Sequence, residues 1–293
     1  SSAACSSGAA NRPTRNHSKP YGDSLWQFYL RHGNVLWEKG TFHAYCVAGF
    51  LRELDALLQG QAVSLISQGD VDCLVATLRG RGNSNATINR KMAALSKLLK
   101  KGFSMGEIHS LPEFHRLKER AGRIRFLEWN EEEELFAAIR QRSSHFFQLS
   151  VFLVDTGARL GEGMGLRWND LNDGRATFWV TKSGRSRTVP LTARARDTVE
   201  ANLGRNSGPF SGVRQYQYRA IWNEAKKSVG LGNDPDVVPH VLRHTCASRL
   251  VRGGVDMRRV QTWLGHQSLQ MTMRYAHLAT NDLDACVAVL ERT

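Results

Sequence analysis

The segment from Trp263 to Leu278, "WLGHQSLQMTMRYAHL", carries one Tyr and two His residues inside a pattern that otherwise resembles ordinary helix. A phenol hydroxyl becomes a nucleophile when a neighbouring base takes its proton. Upstream, "HVLRHT" places His240 and Arg243 three positions apart, and so on one face of a helix. A guanidinium beside an imidazole suits a phosphate group. Tyr275 is therefore a candidate nucleophile beside a phosphate-binding group, although a half-buried aromatic is the ordinary interpretation of a lone Tyr.

Two further motifs could belong to the same site. "TGARLGEGMGL" places Arg159 directly after a glycine turn, with Glu162 three residues on as a possible ion-pair partner, and Lys182 lies next to Ser183 and Gly184. A zinc site is the alternative for His240 and His244, since they share the i, i+4 spacing of the H-E-x-x-H motif. Val241 stands where that mechanism needs a glutamate, so we expect no metal.

Charge favours a polyanionic partner. The 293 residues include 40 Lys and Arg against 27 Asp and Glu, a net charge of +13. Nucleic acid attracts such a chain and releases counterions on binding, although basic proteins without this partner exist. The sequence has no apolar run long enough to predict a membrane span, and its start does not resemble a signal peptide. Five widely spaced Cys residues without a C-x-x-C pair are typical of a reduced, cytoplasmic protein.

The N-terminal part of the sequence predicts a disordered basic arm, 1–20, followed by a helical domain, 21–117. "NSNATINRKMAALSKLLKKG" is its clearest helix: Ser84 or Asn85 can cap it, Gly102 can end it, and Ile88, Met92, Leu95 and Leu99 form an apolar stripe. No acidic residue lies between Leu78 and Gly102. An all-positive surface repels itself unless a negative group lies against it, so we expect phosphate contacts rather than a merely basic surface. The candidates for DNA contact are Arg79, Arg81, Arg90, Lys91, Lys97, Lys100 and Lys101.

A basic linker, 118–125, follows, and its Arg123 and Arg125 are further candidates for DNA contact. In the second domain, 126–293, "LEWNEEEELFAAIRQR" predicts a helix capped by Asn130 with Glu133 at its third position. "ATFWV" and "RTVPL" predict a β-hairpin, and the chain is helical again beyond Pro209. The predicted fold is mainly α with a small antiparallel sheet.

Four segments of the second domain together resemble the tyrosine recombinases, or phage integrase family, over about residues 125–290. They are "TGARLGEGMGLRWNDL", "TKSGRSRTVPL", "HVLRHTCASRL" and "WLGHQSLQMTMRYAHL", in the order and spacing of that family. The helical pattern of 21–117 is more weakly similar to the core-binding domain of the family. The resemblance implies an N-terminal helical core-binding domain and a C-terminal α+β catalytic domain.

The resemblance also implies roles for individual residues. Tyr275 would attack a DNA phosphodiester, giving a 3′-phosphotyrosine and a free 5′-hydroxyl, with His240 as general base. Arg159 and Arg243 would hold the non-bridging oxygens, Lys182 would protonate the leaving oxygen, and His266 would donate a hydrogen bond to the phosphate. Glu162 and His244 would be supporting residues. The chemistry needs no metal and no cofactor.

The implied partner is double-stranded DNA at recombination sites, clamped by the two domains. Four copies would exchange strands through a Holliday junction, with accessory factors possible, and the apolar face of Leu283, Val287 and Leu290 could dock on a neighbouring copy or on its own domain. Two alternatives share the fold: a type IB topoisomerase that relaxes DNA, and a DNA-binding regulator without activity.

Overall fold

The computed structural model describes residues 22–119, 124–180, 185–279, 283, 286, 287, 290 and 291. These residues are mainly helical with one three-stranded antiparallel sheet, which confirms the predicted fold class. The chain divides into two compact units between Ala121 and Gly122. None of the helices in the described ranges is long and apolar enough to cross a membrane. The predicted basic arm, 1–20, lies outside the described residues.

The N-terminal unit packs four helices around one apolar core. The helices are α1 (Leu25–Leu36), α2 (Phe42–Leu57), α3 (Gln68–Gly80) and α4 (Asn85–Ser104). The Ser84 hydroxyl accepts the backbone N–H of Thr87 and so caps α4.

The predicted stripe of α4 faces the core, with Ile88 and Leu95 fully buried. The predicted end of this helix at Gly102 is wrong, since α4 continues to Ser104. A side chain at position 102 would lie 2.7 Å from Cδ1 of Ile108. Gly102 therefore does not end α4. Its missing side chain leaves space for Ile108 to pack against the helix.

The C-terminal unit contains eight helices in its described part. They are α5 (Trp129–Arg142), α6 (Ser144–Thr156), α7 (Leu160–Met164), α8 (Ala193–Glu200), α9 (Gln215–Ser228), α10 (Val241–Arg252), α11 (Met257–Leu264) and α12 (Leu269–Met273). A short 3-10 turn, Ala276–Leu278, follows α12. The buried helix α6 packs against α5, α8 and α10, so the centre of this unit lies along α6.

The start of α5 differs from the prediction by two residues. Glu128 is the N-cap and Glu131 is the third helical residue, in place of Asn130 and Glu133. The Glu131 carboxylate accepts the backbone N–H of Glu128 and also binds the guanidinium of Arg125. The ion pair to Arg125, outside the helix, gives Glu131 a second partner that the helical pattern alone does not indicate.

The predicted hairpin is present. Strand β2 (Arg175–Val180) pairs antiparallel with β3 (Arg185–Pro190), and a short strand, β1 (Leu171–Asn172), pairs with β2 on the other side. Side chains alternate between the faces, so Phe178 of β2 and its partner Arg187 of β3 both point inward.

Candidate active site

The turn between α6 and α7 positions Arg159. Gly157 ends α6 in the left-handed region with φ 65°, and Arg159 is the N-cap of α7. The backbone N–H of Arg159 donates to Oε2 of Glu162 over 2.8 Å, and its Nη1 lies 3.2 Å from Oε1 of the same carboxylate. The Arg159 side chain stays 43% exposed. Glu162 therefore orients the arginine while leaving its guanidinium open to a ligand.

Arg243 of α10 connects two separate loops. Its Nη1 donates to the carbonyl of Gly157 and its Nη2 to the carbonyl of Leu264, both over 2.7 Å. The residue is 2% exposed. Burial, and then the charges of Arg159 and Arg187, lower the pKa of Arg243 to about 10, so it remains a cation at neutral pH. A guanidinium has five N–H donors, and these contacts leave three for a ligand.

The turn after α11 brings His266 to the same place. Gly265 has φ 66° and reverses the chain at the end of α11. The Nδ1 of His266 is 2.8 Å from Oγ1 of the buried Thr272. Burial, followed by the nearby guanidinium groups, lowers the pKa of His266 to about 4. Arg159 and His266 line one surface cavity of about 740 Å³, together with Arg258.

Tyr275 follows α12 and packs into the interior. It is 1% exposed and lies in an apolar cluster with Val251, Val260 and Leu264. Its hydroxyl is 2.6 Å from Nδ1 of His244. Burial raises the pKa of Tyr275, so the phenol keeps its proton at neutral pH.

His240 is the N-cap residue of α10 and is exposed. Its ring lies edge to face with that of His244, with centroids 4.7 Å apart. Partial desolvation of the imidazole by the surrounding protein, followed by the charges of Arg243, Arg159 and Arg274, lowers the pKa of His240. Both histidines of "HVLRHT" therefore border the site, but among the described contacts the one that bonds to the tyrosine is His244.

Arg187 is a site residue that the sequence analysis missed. Its guanidinium binds Glu162 with two hydrogen bonds, of 3.0 and 2.7 Å, and its Nε donates to the carbonyl of Trp263. The side chain is 5% exposed and lies over the Phe178 ring. The sequence could have indicated its burial, because side chains alternate along a strand and Arg187 therefore shares a face with the buried Val189.

The electrostatics of this site suit an anion. Burial raises the pKa of Glu162, but hydrogen bonds and charge from Arg187, then from Arg159, more than offset it and give a value of about 2. Glu162 is thus a carboxylate set between two arginines, and Arg243 and Arg274 add positive charge close by. A phosphate group, which accepts several hydrogen bonds and carries negative charge, fits this combination. A more apolar cavity of about 700 Å³, between α5, α6 and α8, holds none of the predicted catalytic residues.

The structure brings five of the six predicted catalytic residues into one unit around this site; Lys182 lies outside the described residues. Of the candidates for DNA contact, Arg123 also lies outside them. In the N-terminal unit, Lys101 is half-buried, and the exposed candidates are Arg79, Arg81, Arg90, Lys97 and Lys100.

Lys91 and Arg125, two of the predicted DNA contacts, are at least partly buried and paired with acidic residues. Lys91 is 5% exposed, and its Nζ lies 2.7 Å from Glu53 and 2.8 Å from the side-chain oxygen of Asn83. It is one turn from Ile88 on the buried side of α4, so it does not lie on the all-positive surface from which the DNA contact was predicted. Arg125 pairs with Glu131 and Asp234, which raises the pKa of its guanidinium and neutralises its charge locally.

The comparisons with known proteins agree with this geometry. The sequence model of the phage integrase family matches residues 125–282. The chain is 28% identical over 230 residues to the integrase of Escherichia phage P2, covering 77% of this chain and 64% of that protein. It is 28% identical over 260 residues to the tyrosine recombinase XerC of Mycobacterium leprae, covering 80% of this chain and 88% of that protein. For the first four relatives, the match spans between 47% and 64% of their length.

The fold is also that of a solved integrase. A lambda integrase dimer bound to a core site superposes with a TM-score of 0.76 at 18% identity, over 87% of this chain and 78% of the other. The family match begins at the end of the predicted linker and covers every motif that forms the site. The chain belongs to the phage integrase family.

Proposed function

We propose that this protein is a site-specific DNA recombinase that cuts and rejoins DNA through a 3′-phosphotyrosine. The observation that carries the proposal is the hydrogen-bonded tyrosine, Tyr275, close to the positive charges of Arg243 and Arg274. Simple DNA binding does not require a tyrosine with its hydroxyl held by an imidazole at that place.

The chemistry follows from the groups present. The Tyr275 oxygen attacks phosphorus, and the bond from phosphorus to the 5′-oxygen breaks. Arg159 and Arg243 bind the non-bridging oxygens and stabilise the charge that develops in the transition state. His266 donates a further hydrogen bond, and Lys182 supplies the proton to the leaving oxygen. The phosphotyrosine conserves the energy of the phosphodiester, so a second 5′-hydroxyl can reseal the strand.

The phenol needs a proton acceptor, because a free tyrosine has a pKa of about 10. His240, the N-cap of α10, and His244 within it border the site, and desolvation together with the neighbouring arginines keeps both imidazoles neutral. A neutral imidazole can accept a proton, so the general base lies on this helix.

We further propose that double-stranded DNA is the substrate, bound by both units in the cytoplasm, and that four copies assemble on two sites. A lambda integrase tetramer has been solved on a Holliday junction, and its fold is shared by this chain. The exposed apolar residues Leu283, Val287 and Leu290 support a contact between copies. Accessory factors that bend DNA would act on such an assembly.

Covalent trapping tests the proposal. Duplexes that the protein binds are first selected from a pool with a randomised central segment, and nicks are then placed at successive positions along the selected duplex. Wild-type protein in EDTA is expected to give a protein–DNA adduct on a denaturing gel. Tyr275→Phe is expected to give none, and Tyr216→Phe, which changes an exposed tyrosine of α9, is the matched control.

The other outcomes identify the alternatives. A bound duplex without an adduct at any nick would support the inactive DNA-binding regulator. An adduct on unselected DNA, together with relaxation of supercoiled plasmid, would support a type IB topoisomerase. An adduct that persists in Tyr275→Phe would mean that the nucleophile is another residue.

A further inference from the structure

The Tyr275 hydroxyl has one hydrogen-bond partner among the described residues, Nδ1 of His244 at 2.6 Å. Apolar residues of α10 and α11 surround the ring, and the residue is 1% exposed. Within the part of the chain that the structure describes, the phenol proton therefore has a single acceptor within reach. His240, to which the sequence analysis assigned the role of general base, makes no hydrogen bond to this hydroxyl in the described contacts.

The backbone fixes this contact from both sides. The N–H of Tyr275 donates to the carbonyl of Thr272 over 3.0 Å, and the carbonyl of Tyr275 accepts from Leu278 over 2.9 Å. His244 is half-buried one turn into α10, and the next residue, Thr245, is buried and donates its hydroxyl to the carbonyl of Val241. The tyrosine and the imidazole are thus each held by rigid elements, so their contact is a property of the fold.

The surroundings keep His244 neutral in the free protein. Burial, followed by the charges of His240, Arg274, Arg243 and His266, lowers the pKa of His244 to about 4. A phosphodiester bound by the arginines brings negative charge to these groups. That charge offsets part of their repulsion toward a protonated imidazole, so the proton affinity of His244 rises when the substrate is bound.

We propose that His244 holds the hydroxyl of Tyr275 and receives its proton as the oxygen attacks the phosphodiester. This inference rests on the proposed recombinase function. In the step, the O–H bond of the phenol breaks and its proton passes to Nδ1 of His244. The oxygen forms the bond to phosphorus, the bond to the 5′-oxygen breaks, and that oxygen takes a proton from Lys182. Resealing reverses each transfer.

The arrangement separates the roles of the two histidines. The rings of His240 and His244 are 4.7 Å apart, so protonation of one disfavours protonation of the other. When His244 carries the tyrosine proton, His240 stays neutral and is free to donate a hydrogen bond to the phosphate from its exposed position.

The test compares His244→Ala, His244→Asn and His244→Gln with wild type. The amide of Asn reaches the position of Nδ1 and can hold the hydroxyl, but it does not take a proton at neutral pH, and the amide of Gln reaches the position of Nε2. Adduct formation is measured at excess protein on the nicked duplexes described above. Thermal unfolding and DNA affinity of each variant are measured in parallel, so that loss of folding is recognised.

We expect adduct formation to slow by about 100-fold or more in all three variants, the scale of general-base catalysis. The Asn variant is expected to keep the unfolding temperature of the wild type without regaining its rate. Added imidazole is expected to restore part of the rate of His244→Ala. Replacing the leaving 5′-oxygen by sulfur, which leaves without a proton, is expected to rescue Lys182→Ala but not His244→Ala.

Adduct formation by His244→Ala at or above the wild-type rate would overturn the inference. The hydrogen bond would then only hold Tyr275 in its buried position and would have no part in the reaction. A wild-type rate in His244→Asn would overturn the proton transfer. These two results can be interpreted only if the wild-type protein forms an adduct and Tyr275→Phe does not. Absence of the wild-type adduct would instead contradict the recombinase function itself.

Discussion

Replacing Glu162 by Gln should cost the protein much of its stability at neutral pH. Its carboxylate is 15% exposed and is bound by Arg187, which is 5% exposed. Removing one partner of such a pair leaves the other charge buried and unpaired. The pKa of Glu162 falls from 4.5 to about 2 on folding. At about 1.36 kcal/mol per pH unit, this difference corresponds to about 3 kcal/mol of folding free energy.

The sign of the pH dependence follows from the same values. Because the folded pKa lies below the unfolded one, the contribution is complete above pH 4.5 and is lost as the pH falls toward 2. At pH 3 the folded and unfolded pKa values of Glu162 give a remaining contribution to the folding free energy of about 1.4 kcal/mol. Glu162→Gln should therefore destabilise the protein by about 3 kcal/mol at pH 7 and by about half of that at pH 3.

Urea unfolding of wild type and Glu162→Gln at the two pH values measures this difference. Glu134→Gln is the matched control, because this exposed glutamate of α5 forms no ion pair within the described residues. The double variant Glu162→Gln with Arg187→Met should lose less stability than the sum of the single changes. A loss below about 1 kcal/mol at pH 7, or an equal loss at both pH values, would refute the reasoning.

Three further outcomes are expected. Gly265→Ala should cost more unfolding free energy in urea than Gly254→Ala, because both have positive φ but only position 265 would place Cβ 2.7 Å from Arg187; equal losses would contradict this. Lys100→Gln should reduce the salt dependence of DNA affinity by about one counterion, whereas Lys91→Gln should leave that slope unchanged and lower the melting temperature. The pKa of His266 is about 4 in the folded protein and 6.5 in the unfolded chain, so wild-type stability falls as the pH is lowered from 6.5 to 4. His266→Gln should make this fall smaller, and an unchanged pH profile by calorimetry would contradict the prediction.

Features that depend on neighbouring residues were predictable from the sequence. The helical period, the serine caps and the hairpin each follow from a few adjacent positions, and the structure has them at Ser84 and across β2 and β3. The turn at Gly265 belongs to the same class, since a left-handed residue after an apolar helix end favours glycine.

Features that depend on distant partners were not predictable in this way. Lys91 pairs with Glu53 of another helix, so its burial does not follow from the basic surface of α4. The contact of His244 with Tyr275 joins residues that are 31 positions apart. The choice between His240 and His244 therefore needed the three-dimensional structure, because both occupy chemically suitable positions in one motif.

The two carbonyl bonds of Arg243 have a consequence for how variants of this protein are interpreted. The guanidinium joins the segment at Gly157 to the segment at Leu264 through contacts within the protein alone. Part of the entropic cost of ordering the proposed phosphate site is thus met during folding, so the proposed binding would begin from a preorganised state. A survey of variants that measured only the proposed recombination activity would attribute the loss at Arg243 to the chemistry. A parallel survey of protein abundance would count the same position as structural, and both would be right.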